Sequence, residues 1–164
     1  MRPKVSIAAL VLGTAFLLTG ASAVSENSYF PDANGAALWG YINGAGNYQG
    51  YRYWPGKEGY TKGREPHGAI LRTFINPQAY LDIQSGKTEF SPGAIIVKEG
   101  YTSTFQPTMT VVMYKVKGYN PGNGNWFWAK YSPTGTVEKE GKVDGCIKCH
   151  SSAKEVDYSF SKKP

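Results

Sequence analysis

The chain has 164 residues, 41% of them apolar and 18% charged, with 18 Lys and Arg against 12 Asp and Glu. One domain suits that length, and a mean hydropathy of −0.39 is too apolar for a disordered chain and too polar for a multispan membrane protein. The formal net charge of +6 is spread along the chain; it lacks the basic cluster that nucleic-acid binding needs, and it suits docking to an acidic redox partner.

Residues 1–23 read as an export signal. Arg2 and Lys4 precede the apolar run Val5–Leu18, and Ala21-Ser22-Ala23 is a small-residue cleavage site. That run is shorter than the roughly 20 residues that span a bilayer, and no Cys near residue 20 could take a lipid. The expectation is cleavage after Ala23, a periplasmic protein, and a single domain over residues 24–164.

A short helix is predicted around Ala36–Ile42, although Gly35 and Gly40 each cost about 1 kcal/mol relative to Ala inside a helix. Ala69–Ile75 alternates as a strand, with Ile70, Arg72 and Phe74 on one face. Asn76 can cap the next helix, Pro77 suits its first position and Gly86 ends it, so it runs through about Ser85. Ala94–Glu99 is a second strand, with Ile96 and Lys98 opposite in phase to Ile95 and Val97. Thr110–Lys117 and Trp126–Tyr131 flank a segment of Asn, Pro and Gly that favours chain reversal, which predicts an antiparallel hairpin. With a terminal helix after them, these elements predict an α+β domain: an antiparallel sheet of four or five strands with a few helices packed on it.

The terminal helix carries Cys146-Ile147-Lys148-Cys149-His150, the C-x-x-C-H pattern of covalent haem c attachment. Two thiols three positions apart can add to the two vinyl groups of one porphyrin, and the adjacent imidazole of His150 then serves as an axial ligand to iron. These are the only two cysteines of the chain. A disulfide between them would close too small a loop to stabilise much, a thioredoxin-like dithiol belongs at the start of a βαβ unit, and structural zinc needs four ligands.

The group opposite His150 decides between functions. A strong sixth ligand makes a plain electron-transfer cytochrome, whereas an open position permits gas binding or catalysis. Met109, Met113 and His67 are the candidates; the methionines read more readily as core filler, and His67 stands in a turn between Pro66 and Gly68.

Taken with Leu71–Tyr80, Pro92–Glu99 and Asp157-Tyr158-Ser159-Phe160, the late haem motif resembles the cytochrome P-460 family, which includes the cytochromes c′-beta. The resemblance implies a mostly antiparallel β fold, a homodimer, and a five-coordinate iron. It implies small nitrogen oxides as ligands or substrates: hydroxylamine, oxidised by members whose porphyrin is bonded to a lysine, or nitric oxide, bound by members without that bond. By motif position Lys98 matches the cross-linking lysine and Arg72 the pocket arginine, which makes these two the candidate catalytic residues. The hydroxylamine-oxidising members carry a distal glutamate; the matching strand here, Val111–Lys115, holds no carboxylate and places Met113 there. Read without the family, Lys98 and Arg72 each either snorkel to solvent or are buried with a partner, and snorkelling is favoured.

Overall fold

The computed structural model describes residues 29–160, so the expected leader lies outside the described residues. In chain order the elements are α1 (Gly35–Asn43), β1 (Arg52–Tyr53), β2 (Thr61–Lys62), β3 (Ile70–Ile75), α2 (Pro77–Gln84), β4 (Ile95–Tyr101), β5 (Pro107–Lys115), β6 (Trp126–Tyr131), β7 (Val137–Gly141) and α3 (Asp144–His150). All pairings are antiparallel, in the order β1-β3-β4-β5-β6-β7, with β2 also on β3. The α+β class is as expected. The sheet has seven strands rather than four or five, because β1 and β2 are two residues each, too short for a period to be read. The charged sequence of β7 hides a solvated edge strand.

Alternation along the strands sorts the apolar residues into two cores. Phe74, Val97, Val112 and Ala129 pack against Leu38 and Ile42 of α1 and against Tyr48. On the opposite face Ile75, Ile96, Met113 and Trp128 pack against Ala79 and Ile83 of α2 and against Cys146 and Ile147 of α3. Each fully buried aliphatic or aromatic side chain contributes about 1.5–3 kcal/mol relative to exposure. The second face continues through a row of cross-strand partners, Thr73, Lys98, Val111, Lys130 and Lys139.

Asn76 ties α2 to the sheet. Its Oδ1 accepts from Ala79 N, closing the helix N-terminus, and from Ile95 N, the first residue of β4, both at 3.0 Å. Its Nδ2 donates to the Gly93 carbonyl at 2.8 Å. Asn76→Ala removes the cap and leaves a buried strand N–H without a partner, a loss of about 1–3 kcal/mol. Urea unfolding should show a lower midpoint with an unchanged slope.

Candidate functional site

Helix α3 is only seven residues long, and its charges complement its dipole, with Asp144 in the first turn and Lys148 in the last. Three-residue spacing puts Cys146 and Cys149 on neighbouring positions of one face. Both thiols are free, Cys146 half-buried and Cys149 exposed. Burial pushes the Cys146 thiol up, and the neighbouring Cys149 adds to this against the pull of Lys139 and Lys130. A redox-active dithiol shows the opposite shift.

His150 is 5% exposed and its Nδ1 lies 2.6 Å from the carbonyl oxygen of Tyr158. A carbonyl can only accept, so Nδ1 carries the proton and Nε2 keeps its lone pair. Burial lowers the pKa of this imidazole and the Lys98 charge lowers it further, against the raising effect of the Tyr158 carbonyl. The lowered pKa favours the neutral form of the ring.

The Tyr158 carbonyl is held in place from a distance. After a 3-10 turn over Ser151–Val156, Asp157 and Tyr158 both adopt left-handed backbone, with φ of 54° and 61°. Such residues cost about 1–3 kcal/mol each and persist where the surroundings hold them. Here Asp157 is gripped on three sides. Lys115 Nζ donates to both of its carboxylate oxygens at 2.7 Å, Phe90 N donates to Oδ2 at 2.7 Å, and Trp126 Nε1 donates to its main-chain oxygen at 3.0 Å. Both members of the Lys115–Asp157 pair are buried.

The face of α3 bearing the thiols and His150 closes a cavity of about 270 Å³ against the sheet, walled mostly by Ile96, Met109, Val111, Met113, Trp128 and Val143. Lys98 and His67 also line it. Around His150 the ring centroids of Trp128, Phe160 and His67 stand at 4.7, 4.8 and 6.1 Å. A more polar opening of about 500 Å³ shares His67, Lys98 and Cys149 with this cavity and adds Lys57, Lys62 and Arg64. Burial, then the charges of Lys57 and Arg64, bring the Lys98 amine down to about 8. Burial, then Lys98, His150, Arg64 and Lys130, bring His67 down to about 4.

Of the sequence candidates, the structure brings together Lys98, Cys146, Cys149, His150, Met109, Met113 and His67, but not Arg72. Arg72 pairs in register with Glu99, one residue out of phase with Lys98, and therefore lies on the other face of the sheet. There it forms an ion pair with Glu99 at 3.5 Å, donates to the Tyr53 hydroxyl at 3.2 Å and stacks on Phe74 at 4.8 Å. Glu99, which also accepts from Tyr48 and Tyr101, is directed away from the cavity as well. No carboxylate lines the apolar cavity among the described residues. Lys115, Trp128 and the Asp157 clamp were not found from the sequence; the clamp spans 42 residues, and no local pattern encodes it.

A family model described as Cytochrome P460 matches residues 48–161. The chain belongs to the cytochrome P460 family. No curated protein matches it. Membership of the P460 family makes this a c-type haem protein, and the residues present fit that group: paired free thiols, an imidazole with an available Nε2, and an apolar slot. The Nε1 of Trp128 and Nδ1 of His67 in that slot are buried without a hydrogen-bond partner.

Breaking the buried clamp by Lys115→Ala leaves Asp157 charged and uncompensated, at a cost of about 3–5 kcal/mol. Lys130→Ala, which breaks the half-exposed pair with Glu138 at 2.8 Å, should cost about 0–1 kcal/mol in the same denaturant series. Lys98 carries a pH signature. Below about pH 8 both native and unfolded chains bind its proton, and between there and the ordinary 10.5 only the unfolded chain does, so its contribution to stability rises with pH across that window. The difference between wild-type and Lys98→Met unfolding free energies should show that rise.

Proposed function

We propose that the protein is an exported cytochrome carrying one haem c, bonded through Cys146 and Cys149 with His150 as axial ligand, that binds nitric oxide on the other side. The observation that supports this reading best is the meeting, on one helix and over one apolar cavity, of two free thiols and an imidazole whose Nδ1–H is already engaged. Bound there, haem supplies a redox-active iron with a coordination position for a small ligand. The chain does the rest: the Tyr158 carbonyl holds the His150 tautomer and ring orientation, and Ile96, Val111, Met113 and Trp128 exclude water. Export to the periplasm rests on the leader, the homodimer on the resemblance, and an acidic redox partner on the basic surplus of the chain.

Binding is favoured over oxidation by the lining of the cavity. Hydroxylamine oxidation releases protons, a positioned base contributes about 10²–10⁴-fold to such steps, and Met113 stands where the oxidising members carry a glutamate. The second reading, hydroxylamine oxidation, is favoured by Lys98, which lines the cavity and is the residue that a bond to the macrocycle would use.

Co-expression with haem-maturation factors should give a haem-staining band on a denaturing gel at the mature mass, lost or weakened in Cys146→Ala. The haem-loaded protein should bind nitric oxide and show no hydroxylamine turnover with an artificial acceptor, while Met113→Glu gains turnover. Wild-type turnover would overturn the binding reading in favour of the enzyme. Mass spectrometry of the haem peptide reads the Lys98 bond: a species joining residues 146–150 to the Lys98 peptide establishes it, and its absence leaves Lys98 as a wall residue.

A further inference from the structure

The polar opening beside the cavity takes Lys62, Arg64 and His67 from the end of β2 and its connection to β3, and Lys57 and Lys98 from elsewhere in the chain. Two glycines let that connection sit down onto the sheet. A Cβ on Gly100 of β4 would run into the His67 carbonyl oxygen, and a Cβ on Gly68, whose φ is 105°, would stand 2.8 Å from the Tyr101 carbonyl oxygen. His67 N donates to the Arg64 carbonyl at 3.1 Å, so both side chains leave one tight turn. The Arg64 guanidinium lies 5.4 Å from the centre of the Phe160 ring, which packs in turn against His150.

Positive charge at this opening is not balanced by the protein. Among the described residues no carboxylate lies within ion-pair distance of Lys62, Arg64 or Lys98, and the single carboxylate side chain that lines the opening, Glu65, is exposed. Burial, then the charges of Lys57 and Arg64, bring Lys98 down to about 8, which leaves it mostly protonated at neutral pH. His67, in the wall common to the opening and the apolar cavity, has its Nδ1 buried with no hydrogen-bond partner. Such a nitrogen is costly unless something meets it, and carrying the ring proton it can donate to an oxygen anion.

A recess lined by cations and a spare imidazole nitrogen suits a small oxyanion, and the planar fork of Arg64 matches an anion that presents two oxygens in one plane. A haem propionate and a free anion share that chemistry. The propionates are carried on the half of the ring opposite the vinyl groups, and Cys149, which takes a vinyl, lines this opening, so the free anion is favoured. Nitrite is the planar oxyanion one electron away from nitric oxide. We propose that this opening is a binding site for nitrite, held by Arg64 and Lys62 beside the iron and not on it. The proposal rests on the haem site described above and adds to it a second, anionic nitrogen-oxide ligand.

Nuclear magnetic resonance of nitrogen-15-labelled, haem-loaded protein tests it, with the iron reduced and blocked by carbon monoxide so that only binding away from the metal is read. Sodium nitrite, titrated against sodium chloride at constant ionic strength, should give saturable shifts confined to the amides of residues 62–67 and of Lys98. Arg64→Gln and Lys62→Gln should each weaken this binding about tenfold, the loss expected for a charge-assisted contact, and Lys117→Gln on the exposed β5–β6 turn should leave it unchanged. Shifts that chloride reproduces, that fail to saturate because a propionate fills the opening, or that survive the double variant Lys62→Gln with Arg64→Gln overturn the proposal. Haem-loaded protein that binds nitric oxide but not nitrite refutes this inference alone, whereas a chain that attaches no haem refutes the functional reading and this one with it.

Discussion

The buried pair between Lys115 and Asp157 is the contact on which the haem side of the molecule depends. It joins the last residue of the longest strand to the chain just beyond α3, and both partners are almost fully removed from water. An ion pair in that setting is retained only when its remaining hydrogen-bonding capacity is filled. Phe90 N and the Trp126 indole fill it. What the clamp secures is a left-handed turn that Asp157 and Tyr158 would not hold unaided, and the product of that turn is a carbonyl oxygen at His150 Nδ1. The state of the proposed iron ligand is thus set by a lysine on a strand.

A one-residue phase difference on β4 divides the charged groups of the sheet into two systems. Lys98 faces the cavity, and Glu99 faces the other core, where it binds Arg72, Tyr48 and Tyr101. The carboxylate is therefore committed to a structural cluster, and among the described residues the titratable groups lining the cavity are lysines, histidines and the two thiols. Because burial disfavours their charged forms and the neighbouring charges of Lys57 and Arg64, with Lys98 itself acting on His67, add to the effect, both Lys98 and His67 are biased toward their neutral, lone-pair-bearing forms. That bias suits a site that coordinates or bonds through nitrogen.

The apolar lining has a further consequence. Trp128 spans from the second core to the His150 ring, so the same side chain that stabilises the packing of α3 on the sheet also forms a wall of the cavity. Folding and cofactor environment are coupled at that residue, as they are at Cys146, which belongs at once to the core and to the thiol pair.

The sequence alone determined the helices, the long strands, the hairpin and the haem motif, because each is encoded over a few neighbouring residues. Asn76 and Pro77 mark a helix start, alternation marks β3 and β4, and Cys146, Cys149 and His150 stand within five residues. The short strands β1 and β2 carry no period, and β7 is charged enough to read as loop. Whether Arg72 joins Lys98 was decided only by cross-strand register, which sets Arg72 opposite Glu99 and removes it from the cavity. The approach of His67 to His150 and the grip of Lys115 on Asp157 were likewise settled only by the tertiary structure. Both contacts join segments far apart in the chain, and such contacts form from packing and desolvation that no local pattern records.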